Sequence, residues 1–585
     1  MRSITGRKGW FGHSIAVTAA MLVAGLQFLV SPVWAGYELP PGERITNLPH
    51  IPRSMPQKEA YESYDPVIGR NFDIKNFWMR ADLRVRPEFR NNVCFGGNAP
   101  AAGVCNAAAN ATNGVAGGNT ATNGKANDFY VQQWVRLGLG YDLSPDVNFY
   151  FELIDSAVWG GNANPLNAGN GGDPLNHSCA GTGPAAGPGV NNQSTCRLGV
   201  RAAYVLVRNL AGVQGLSMKA GRQYVIFGNH SLFGHFDWAN TGYSHDGIMF
   251  QYATKAFESH LGWFRNSETD IAQGAPVGSG AGNVVGAGPN RPDGSADVDM
   301  FIFYNQVKNI PGILFEPYYV LYMNNLHETL NAAQGTGTAK FSSQVRHMLG
   351  QRTELRKGNW DAILETAWQF GRQADGIGGL TPGGASDNTR NLRINAWALR
   401  SWLGYTVYDW KMKPRLAINV DYASGDGDAN CNLGITNNGG AVTLASAARC
   451  GGNSNTFENF FPTNHIHMAY ADVMAWKNMF APQVNFQLRP TERDHVEIWY
   501  MNMNLASARD NWYRAGQGPY VFSRNDNTKK HIGDEWDVTW TRMFADGKVA
   551  FQATYGHIFA GSYIAANTGQ GQDQSWGFVQ LWMNF

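Results

Sequence analysis

Residues 79–90 alternate strictly between apolar and charged side chains. The odd positions carry Met, Ala, Leu, Val, Pro and Phe, and the even positions carry four Arg, one Asp and one Glu. Because successive side chains of a β-strand point to opposite faces, this segment predicts a strand with one apolar and one charged face. A soluble sandwich would place the apolar face on a core. A transmembrane barrel would place it on lipid and turn the charged face toward a water-filled interior.

Alternating or β-rich segments recur along the rest of the chain. We predict strands at 79–90, 128–142, 147–157, 199–208, 216–227, 245–253, 256–266, 298–307, 313–324, 343–356, 360–371, 392–407, 413–423, 478–490, 494–504, 531–543, 547–558 and 573–585. These are eighteen strands, an even number, as single-chain bacterial barrels require.

The connections between these strands are alternately short and long. Short turns at 142–146, 309–312, 489–494 and 545–548 fall at even-to-odd junctions. Long connections at 91–127, 158–198, 267–297, 325–342, 372–391, 424–477 and 505–530 fall at odd-to-even junctions. This alternation is typical of an all-β, antiparallel, up-and-down transmembrane β-barrel with short periplasmic turns and long external loops. A strand over 465–476 would break the parity, so we place that segment in the seventh external loop or folded into the pore mouth.

The N-terminus predicts export. Residues 1–35 combine three basic residues, an apolar core between residues 15 and 30, and a small-residue cleavage site at 33–35, as in a secretory signal peptide. A membrane-anchoring helix is the alternative, but the apolar run is short for a full span. Residues 36–78 contain six prolines and no sustained period, which predicts a periplasmic or plug-like arm before the barrel at 79–585.

Composition narrows the class of protein. Beyond residue 35 no apolar run is long enough to cross a bilayer as a helix. Removing the three basic residues of the signal from 46 leaves 43 against 45 acidic residues, a net charge of −2. The overall charge therefore does not steer the protein toward nucleic acid or any other polyanion.

Six cysteines fall as three close pairs in polar segments. They are Cys94 with Cys105, Cys179 with Cys196, and Cys431 with Cys450. No pair has zinc-knuckle or haem-attachment spacing, and an exported context favours oxidation, so we predict three local disulfides that staple external loops. Free thiols and other pairings remain open, because only locality favours this pairing.

The charged face of the first strand supplies the main candidate site. Its candidate pore-lining or substrate-binding residues are Arg80, Asp82, Arg84, Arg86, Glu88 and Arg90. The same alternation places further arginines inward at Arg136, Arg201, Arg352, Arg415 and Arg489. It places carboxylates inward at Glu152, Glu316, Glu365, Asp421, Glu535 and Asp537. Rings of arginine select anions in a narrow pore. The alternative is that these charges form cross-strand Arg–carboxylate ladders that stiffen the wall.

The sequence gives no defined motif for catalysis or for a metal. His465, His467, Asp472 and Ser507 are the nearest catalytic candidates, but their spacing matches no nucleophile motif. The acidic stretch at 421–428 lacks the spacing of an EF-hand loop and is more simply a Gly-rich turn at a strand end. We therefore expect no enzyme, no cofactor and no metal site.

An ordered series of short runs resembles the alginate-export family of outer-membrane barrels. The runs lie at 221–223, 236–242, 246–247, 421–426, 461–465 and 508–513. The resemblance covers residues 79 to 585 and implies an eighteen-stranded monomeric barrel. For the family's characterised exporter it also implies an Arg-lined pore for an anionic polyuronate. Two features depart from that pattern: the turn at 545–548 is too short to plug a pore, and the predicted lumen is of mixed charge.

We therefore expect an outer-membrane channel, a porin or exporter, that passes hydrophilic, anionic solutes or exopolysaccharide through an Arg-containing lumen. The alternative is a surface-exposed structural or binding barrel whose disulfide-stapled loops engage an external partner. The other expected partners are outer-membrane lipid and the barrel-assembly machinery, because the alternating last strand ends in Phe585. We expect a bacterial outer-membrane location, a monomer and no nucleic acid.

Overall fold

The computed structural model describes most of the barrel. It covers residues 76–93, 95, 128–159, 198–239, 242–267, 298–324, 344–374, 391–427, 453–515, 519–521, 523, 526–568 and 571–584. The signal peptide, nearly all of the N-terminal arm, all six cysteines and Phe585 lie outside the described residues. The processing, the disulfides and the assembly signal therefore stay predictions.

Eighteen strands form the wall of the barrel. They are β1 Phe77–Asn91, β2 Asp128–Ser144, β3 Val147–Val158, β4 Leu198–Val207, β5 Leu216–Gln223, β6 His245–Ala253, β7 Phe257–Ser267, β8 Val298–Ile310, β9 Ile313–Asn324, β10 Gln344–Lys357, β11 Trp360–Ala374, β12 Asn391–Thr406, β13 Arg415–Ala423, β14 Met479–Leu488, β15 Asp494–Leu505, β16 His531–Phe544, β17 Val549–Ala560 and β18 Gln574–Asn584. Each pairs antiparallel with the next, and β1 pairs with β18 between Asp82↔Asn584 and Asn91↔Ser575. The predicted closed, antiparallel, eighteen-stranded barrel is confirmed.

Short elements complete the described chain. They are the helix Ser562–Thr568, the 3₁₀ turns Leu210–Gly212, Asn464–Ile466 and Ala545–Gly547, and the small strands Asn453–Ser454, Trp512–Tyr513 and Pro519–Val521. No helix within the described residues is long and apolar enough to cross a membrane. The segment between His465 and Trp476 contains no strand, which preserves the parity of the strands that follow.

The connections keep the predicted alternation. The longest even-to-odd connections, 208–215 and 407–414, have eight residues each, whereas the shortest odd-to-even connection, 561–573, has thirteen. Short turns therefore gather at one rim and long loops at the other, as periplasmic and external rims do in outer-membrane barrels.

The outer face of the barrel is apolar. On β1 the odd positions face outward, and Met79 is 61% exposed while Arg84 on the even parity is 1% exposed. Aromatic side chains recur on this face, including Trp360, Trp368 and Trp397. An exposed apolar surface of this extent is typical of a surface that contacts lipid.

The hydrophobic core lies inside the barrel, where external loops fold inward. We define the first inner segment as residues 224–239, the second as residues 455–478 and the third as residues 506–515. The first two meet at a parallel bridge between Phe233 and Phe461, where the Phe461 amide donates to the Leu232 carbonyl at 3.1 Å. The second meets the third where the Ala475 amide donates to the Tyr513 carbonyl at 3.0 Å. These three segments build a packed layer across the interior.

Candidate channel constriction

Arg84 and Arg86 hold the first inner segment by its backbone. Arg84 donates to the carbonyl oxygens of Asp237, Trp238 and Ala239, the last two at 3.2 and 3.4 Å. Arg86 donates to the Trp238 carbonyl at 2.9 Å and also to the side chain of Gln132. Because strand parity fixes the inward direction of both arginines, the wall presents two forked donors to one turn of the inner segment.

A stack of rings continues inward from Arg86. Its guanidinium carbon lies 3.4 Å from the ring centroid of Trp238, which is close enough for a cation–π interaction. Trp238 in turn stacks on His465 of the second inner segment, with centroids 3.5 Å apart and an interplanar angle of 3°. The His465 Nδ1 atom lies 3.0 Å from a carboxylate oxygen of Asp472. The stack therefore joins the wall to the first and second inner segments.

Asp237 is the carboxylate at the centre of this contact. Its two oxygens lie 3.1 Å from Arg136, 3.0 Å from Arg201 and 3.2 Å from His235. Burial opposes ionisation here, but Arg136, His235 and Arg201 together hold the pKa of Asp237 well below its usual range. The ionised Asp237 carboxylate thus fixes the first inner segment to the wall.

Arg90 and Glu88 connect the first strand to the second inner segment. Arg90 donates to Glu88 at 3.0 Å and to the Ala471 carbonyl at 2.7 Å. On β16, three strands from β1 around the wall, the Glu535 carboxylate accepts the amides of Tyr470 and Ala471 at 3.1 and 2.8 Å. Wall residues of β1 and β16 therefore bind the backbone of the same turn.

Ion pairs link the near wall, which we define as β1–β4, into one network with the first inner segment. Arg80 pairs with Glu152 at 3.2 Å, and Arg136 pairs with Asp82 at 3.1 Å. Together with the contacts above, the network contains six arginines and four carboxylates. They are Arg80, Arg84, Arg86, Arg90, Arg136 and Arg201 with Asp82, Glu88, Glu152 and Asp237. Its formal charge is therefore +2 when His235 is neutral.

The far wall, which we define as β9–β13, is paired differently. Arg352 binds Glu316 and Glu354, and Arg415 binds Asp361 with two hydrogen bonds of 3.0 and 2.6 Å. Arg400 and Asp421 form a second bidentate pair at 3.0 and 3.1 Å, and Arg356 lies 3.9 Å from Glu354. Four arginines thus meet four carboxylates, and the net charge of these pairs is zero.

The sequence-derived site residues fall on the inner side with one exception. Arg489 lies one residue beyond the end of β14, in a short turn, where its amide donates to the Met412 carbonyl at 2.7 Å. Nine of the other ten are buried, and Arg80 is half-buried. These ten are Arg80, Asp82, Arg84, Arg86, Glu88, Arg90, Arg136, Arg201, Arg352 and Arg415. The structure therefore shows their positions, and their roles in solute passage stay a proposal.

The histidines and the serine weighed as catalytic candidates have separate partners. His467 Nε2 lies 2.5 Å from the Asn229 carbonyl, and Ser507 donates to the Asp426 carbonyl at 2.5 Å. His465 packs between Trp238 and the Asp472 carboxylate. Each contact joins one inner segment to another part of the chain.

Three residues of the barrel interior were not identified from the sequence. Asp237 and Trp238 lie within a run that carried the family resemblance, but nothing in their spacing marks them as partners of the first strand. Arg346 is a buried inward arginine that the alternation of β10 could have identified, since it has the same parity as Arg352. It donates to Gln369 at 2.7 Å and Gln373 at 3.0 Å.

A closed barrel of eighteen antiparallel strands, with an apolar outer face, a charged inner face and short turns at one rim, defines the class of outer-membrane channels. A family model described as Alginate export matches residues 148–578, well over half of the chain. The chain therefore belongs to the alginate export family, whose members are outer-membrane channels. The comparison with curated protein sequences found no match.

Solved structures of similar shape come from Pseudomonas aeruginosa. OccK9 (OpdG) is 10% identical, with a TM-score of 0.47, over 88% of this chain and 99% of that one. OccK2 (OpdF), in complex with glucuronate, is 10% identical, with a TM-score of 0.41, over 87% and 98%. The outer membrane protein OprD is 8% identical, with a TM-score of 0.43, over 87% and 93%. At these identities and TM-scores, none of them indicates what this chain transports.

Proposed function

We propose that this protein is a passive outer-membrane channel for hydrophilic, anionic solutes, with its constriction between the near wall and the first inner segment. The proposal rests on one observation: Arg84 and Arg86 donate hydrogen bonds to the backbone carbonyls of residues 237–239. This contact holds a loop across the interior at a part of the wall where arginines outnumber carboxylates.

Charge supports an anion preference. Because the network has six arginines and four carboxylates, an anion beside it meets a net attraction. In a dry, narrow passage such charges are poorly screened, so even a small excess influences which ions pass. Membership of a family described by alginate export favours an anionic polysaccharide as one such solute.

The packed interior favours a second candidate. Arg84, Arg86, Trp238 and His465 are each less than 10% exposed, so little water reaches this layer in the state described. A barrel that stayed closed in this way would act as a structural or binding surface for an external partner. On the channel proposal, the inner segments move aside or shift enough to admit solute.

Conductance in planar bilayers separates the two candidates. Full-length protein is reconstituted under a salt gradient, and the reversal potential gives the ratio of chloride to potassium permeability. An anion-selective open channel supports the proposal. A folded, inserted barrel with no conductance would contradict it and favour the structural role.

Paired variants then locate the selectivity. In Arg84→Gln/Arg86→Gln the amides can still donate to the loop carbonyls while two charges are lost, so we expect the permeability ratio to fall about threefold. The matched control is Arg415→Gln/Asp361→Asn, which removes a neutral far-wall pair and should leave the ratio unchanged. Equal effects of the two variants would show that the near wall does not set the selectivity.

A further inference from the structure

One row of residues crosses eight strands on the outer face of the barrel. Its members are direct cross-strand partners, in the order Arg222, Asp246, Arg265, Asp299, Met323, Val345, Arg372 and Arg393. The row runs from β5 to β12 near the strand ends that lead into the long loops. It therefore follows the external side of the barrel.

The two ends of this row have opposite electrostatics. At one end arginines and aspartates alternate, with Arg222 on Asp246 at 2.8 and 2.7 Å and Arg265 on Asp299 at 2.8 and 3.3 Å. At the other end Arg372 and Arg393 face each other directly across β11 and β12, and both are exposed. No ion pair or hydrogen bond to another described residue accompanies either guanidinium group.

Two like charges opposite each other destabilise an antiparallel pair of strands. The β11–β12 pairing nevertheless continues past them to Ala374↔Asn391. An anion between the guanidinium groups would convert the repulsion into attraction, and a phosphate suits both because guanidinium binds phosphate through two parallel hydrogen bonds.

Aromatic residues on the same two strands fix the depth of this site. Trp360 packs on Tyr405 at the periplasmic end, with ring centroids 4.8 Å apart, and Trp368 lies opposite Trp397 further out. Trp360 and Trp368 are eight residues apart on β11, or about 20 Å along the membrane normal for a strand tilted by about 40°. This spacing is close to the apolar band of about 25 Å in outer-membrane barrels.

Arg372 lies beyond that band. It is twelve residues from Trp360, or about 30 Å along the membrane normal at the same tilt. Its outward neighbours toward the membrane are Phe370 and Trp368, which present apolar rings at acyl-chain depth. The two arginines thus lie at headgroup depth, directly above an apolar surface.

We propose that Arg372 and Arg393 form a binding site for the phosphate of a phosphorylated lipid in the outer leaflet. The two guanidinium groups bind the headgroup phosphate, and the apolar surface around Phe370, Trp368 and Trp397 receives the acyl chains. A lumen solute does not reach this site, because it faces away from the interior. The site therefore anchors the external end of β11 and β12 to the membrane.

The test measures binding of lipid A to the full-length barrel in detergent micelles, by native mass spectrometry and by fluorescence titration. Wild-type protein should bind lipid A, and enzymatically dephosphorylated lipid A should bind about tenfold more weakly. Arg372→Gln/Arg393→Gln should show the same loss, whereas Arg372→Lys/Arg393→Lys should retain part of the affinity because both charges remain.

A matched control uses the paired end of the same row. Arg265→Gln/Asp299→Asn removes a half-buried ion pair without changing the net charge and should bind lipid A like the wild type. Heat-dependent gel mobility checks that every variant is folded. Unchanged affinity in the double Gln variant overturns the proposal, as does an equal loss in the control. Displacement of lipid A by inorganic phosphate at a similar concentration would also overturn it, since the site would then bind free phosphate.

Discussion

The near wall and the far wall of this barrel use the same residue type for different purposes. On the far wall, Arg400 meets Asp421 of the next strand and Arg415 meets Asp361 two strands away, each in a bidentate pair. On the near wall, Arg84 donates to three backbone carbonyls of a loop, and Arg86 donates to one of the same carbonyls. In an eighteen-stranded barrel β1 and β10 are nine strands apart, so the two arrangements lie across the interior from each other.

The difference shows that the role of an inward arginine depends on the group that accepts its hydrogen bonds. A carboxylate partner on a nearby strand neutralises the charge and stiffens the wall. A carbonyl partner leaves the positive charge in place while it fixes a loop. In the channel that we propose, the near wall holds the constriction and attracts anions with the same side chains.

The largest effect should come from removing the carboxylate that joins the first inner segment to the near wall. Asp237→Ala removes a shared acceptor from the buried Arg136 and Arg201 and from His235, which should cost about 3–5 kcal/mol. We expect the first inner segment to detach and the single-channel conductance to rise. Asp361→Ala on the far wall breaks the pair with Arg415 and should lower the unfolding midpoint, yet leave conductance unchanged. Equal conductance changes would remove the distinction between the walls.

The aromatic stack provides the next test. Trp238→Ala removes the ring between Arg86 and His465, and such a truncation should destabilise the docked segment by about 3 kcal/mol. Single-channel recordings should show a larger conductance, with the anion preference kept because all six arginines remain. Trp402→Ala, which removes a ring 5.1 Å from Arg415 on the far wall, serves as the control and should leave conductance unaltered.

Apolar replacement should separate the two kinds of arginine contact. Arg415→Met/Asp361→Leu replaces a whole buried pair, so the free energy of unfolding should stay within about 1 kcal/mol of wild type. Arg84→Met leaves buried carbonyl oxygens without donors and should cost about 2 kcal/mol. Urea unfolding of both variants measures the difference. Similar costs would mean that Arg84 contributes no more to the fold than a far-wall pair does.

Acidification should have a smaller effect than these substitutions. It should weaken the docking of the inner segments at the near wall and leave the far wall unchanged. Burial lowers the pKa of His465, and the nearby Asp472 carboxylate opposes this shift only in part. The docked state therefore favours the neutral ring, so docking is strongest above the unfolded pKa of about 6.5 and weakens as the pH falls below it. The depressed pKa of Asp237 keeps that carboxylate charged in this range.

We expect the open probability to rise by less than tenfold between pH 7 and pH 5.5, because one proton is involved. His465→Gln should give a flat response over the same range, and Arg415→Gln/Asp361→Asn should respond like the wild type. A wild-type channel whose open probability does not change with pH would contradict the role of His465.

The wall of the barrel was predictable because its signal is local. Alternation within each segment gives the strand, its inner face and the inward direction of Arg136, Arg201 and Arg352. The errors lie at strand ends. Residues 224–227 continue the alternation of β5, but the strand ends at Gln223, because Tyr224 donates to Glu152 inside the barrel instead of facing lipid. Arg489 was assigned by carrying the parity of β14 one residue too far.

The constriction was not predictable from local patterns. Trp238 and His465 touch although they are 227 positions apart in the chain, and no periodicity relates them. The acceptors of Arg84 are backbone carbonyls, which every residue carries, so no side chain in the sequence marks them. Only the closed barrel brings these groups together.

The seam between β1 and β18 has a consequence for biogenesis. The Trp576 indole donates to Glu88 at 2.9 Å, and the Arg84 guanidinium lies 5.9 Å from the ring of Trp582. The strand that completes the surroundings of the first-strand arginines is thus synthesised after the other seventeen wall strands. A nascent barrel with an unsealed seam lacks part of the surroundings of these arginines, so closure of the cylinder and completion of this part of the wall are a single assembly event.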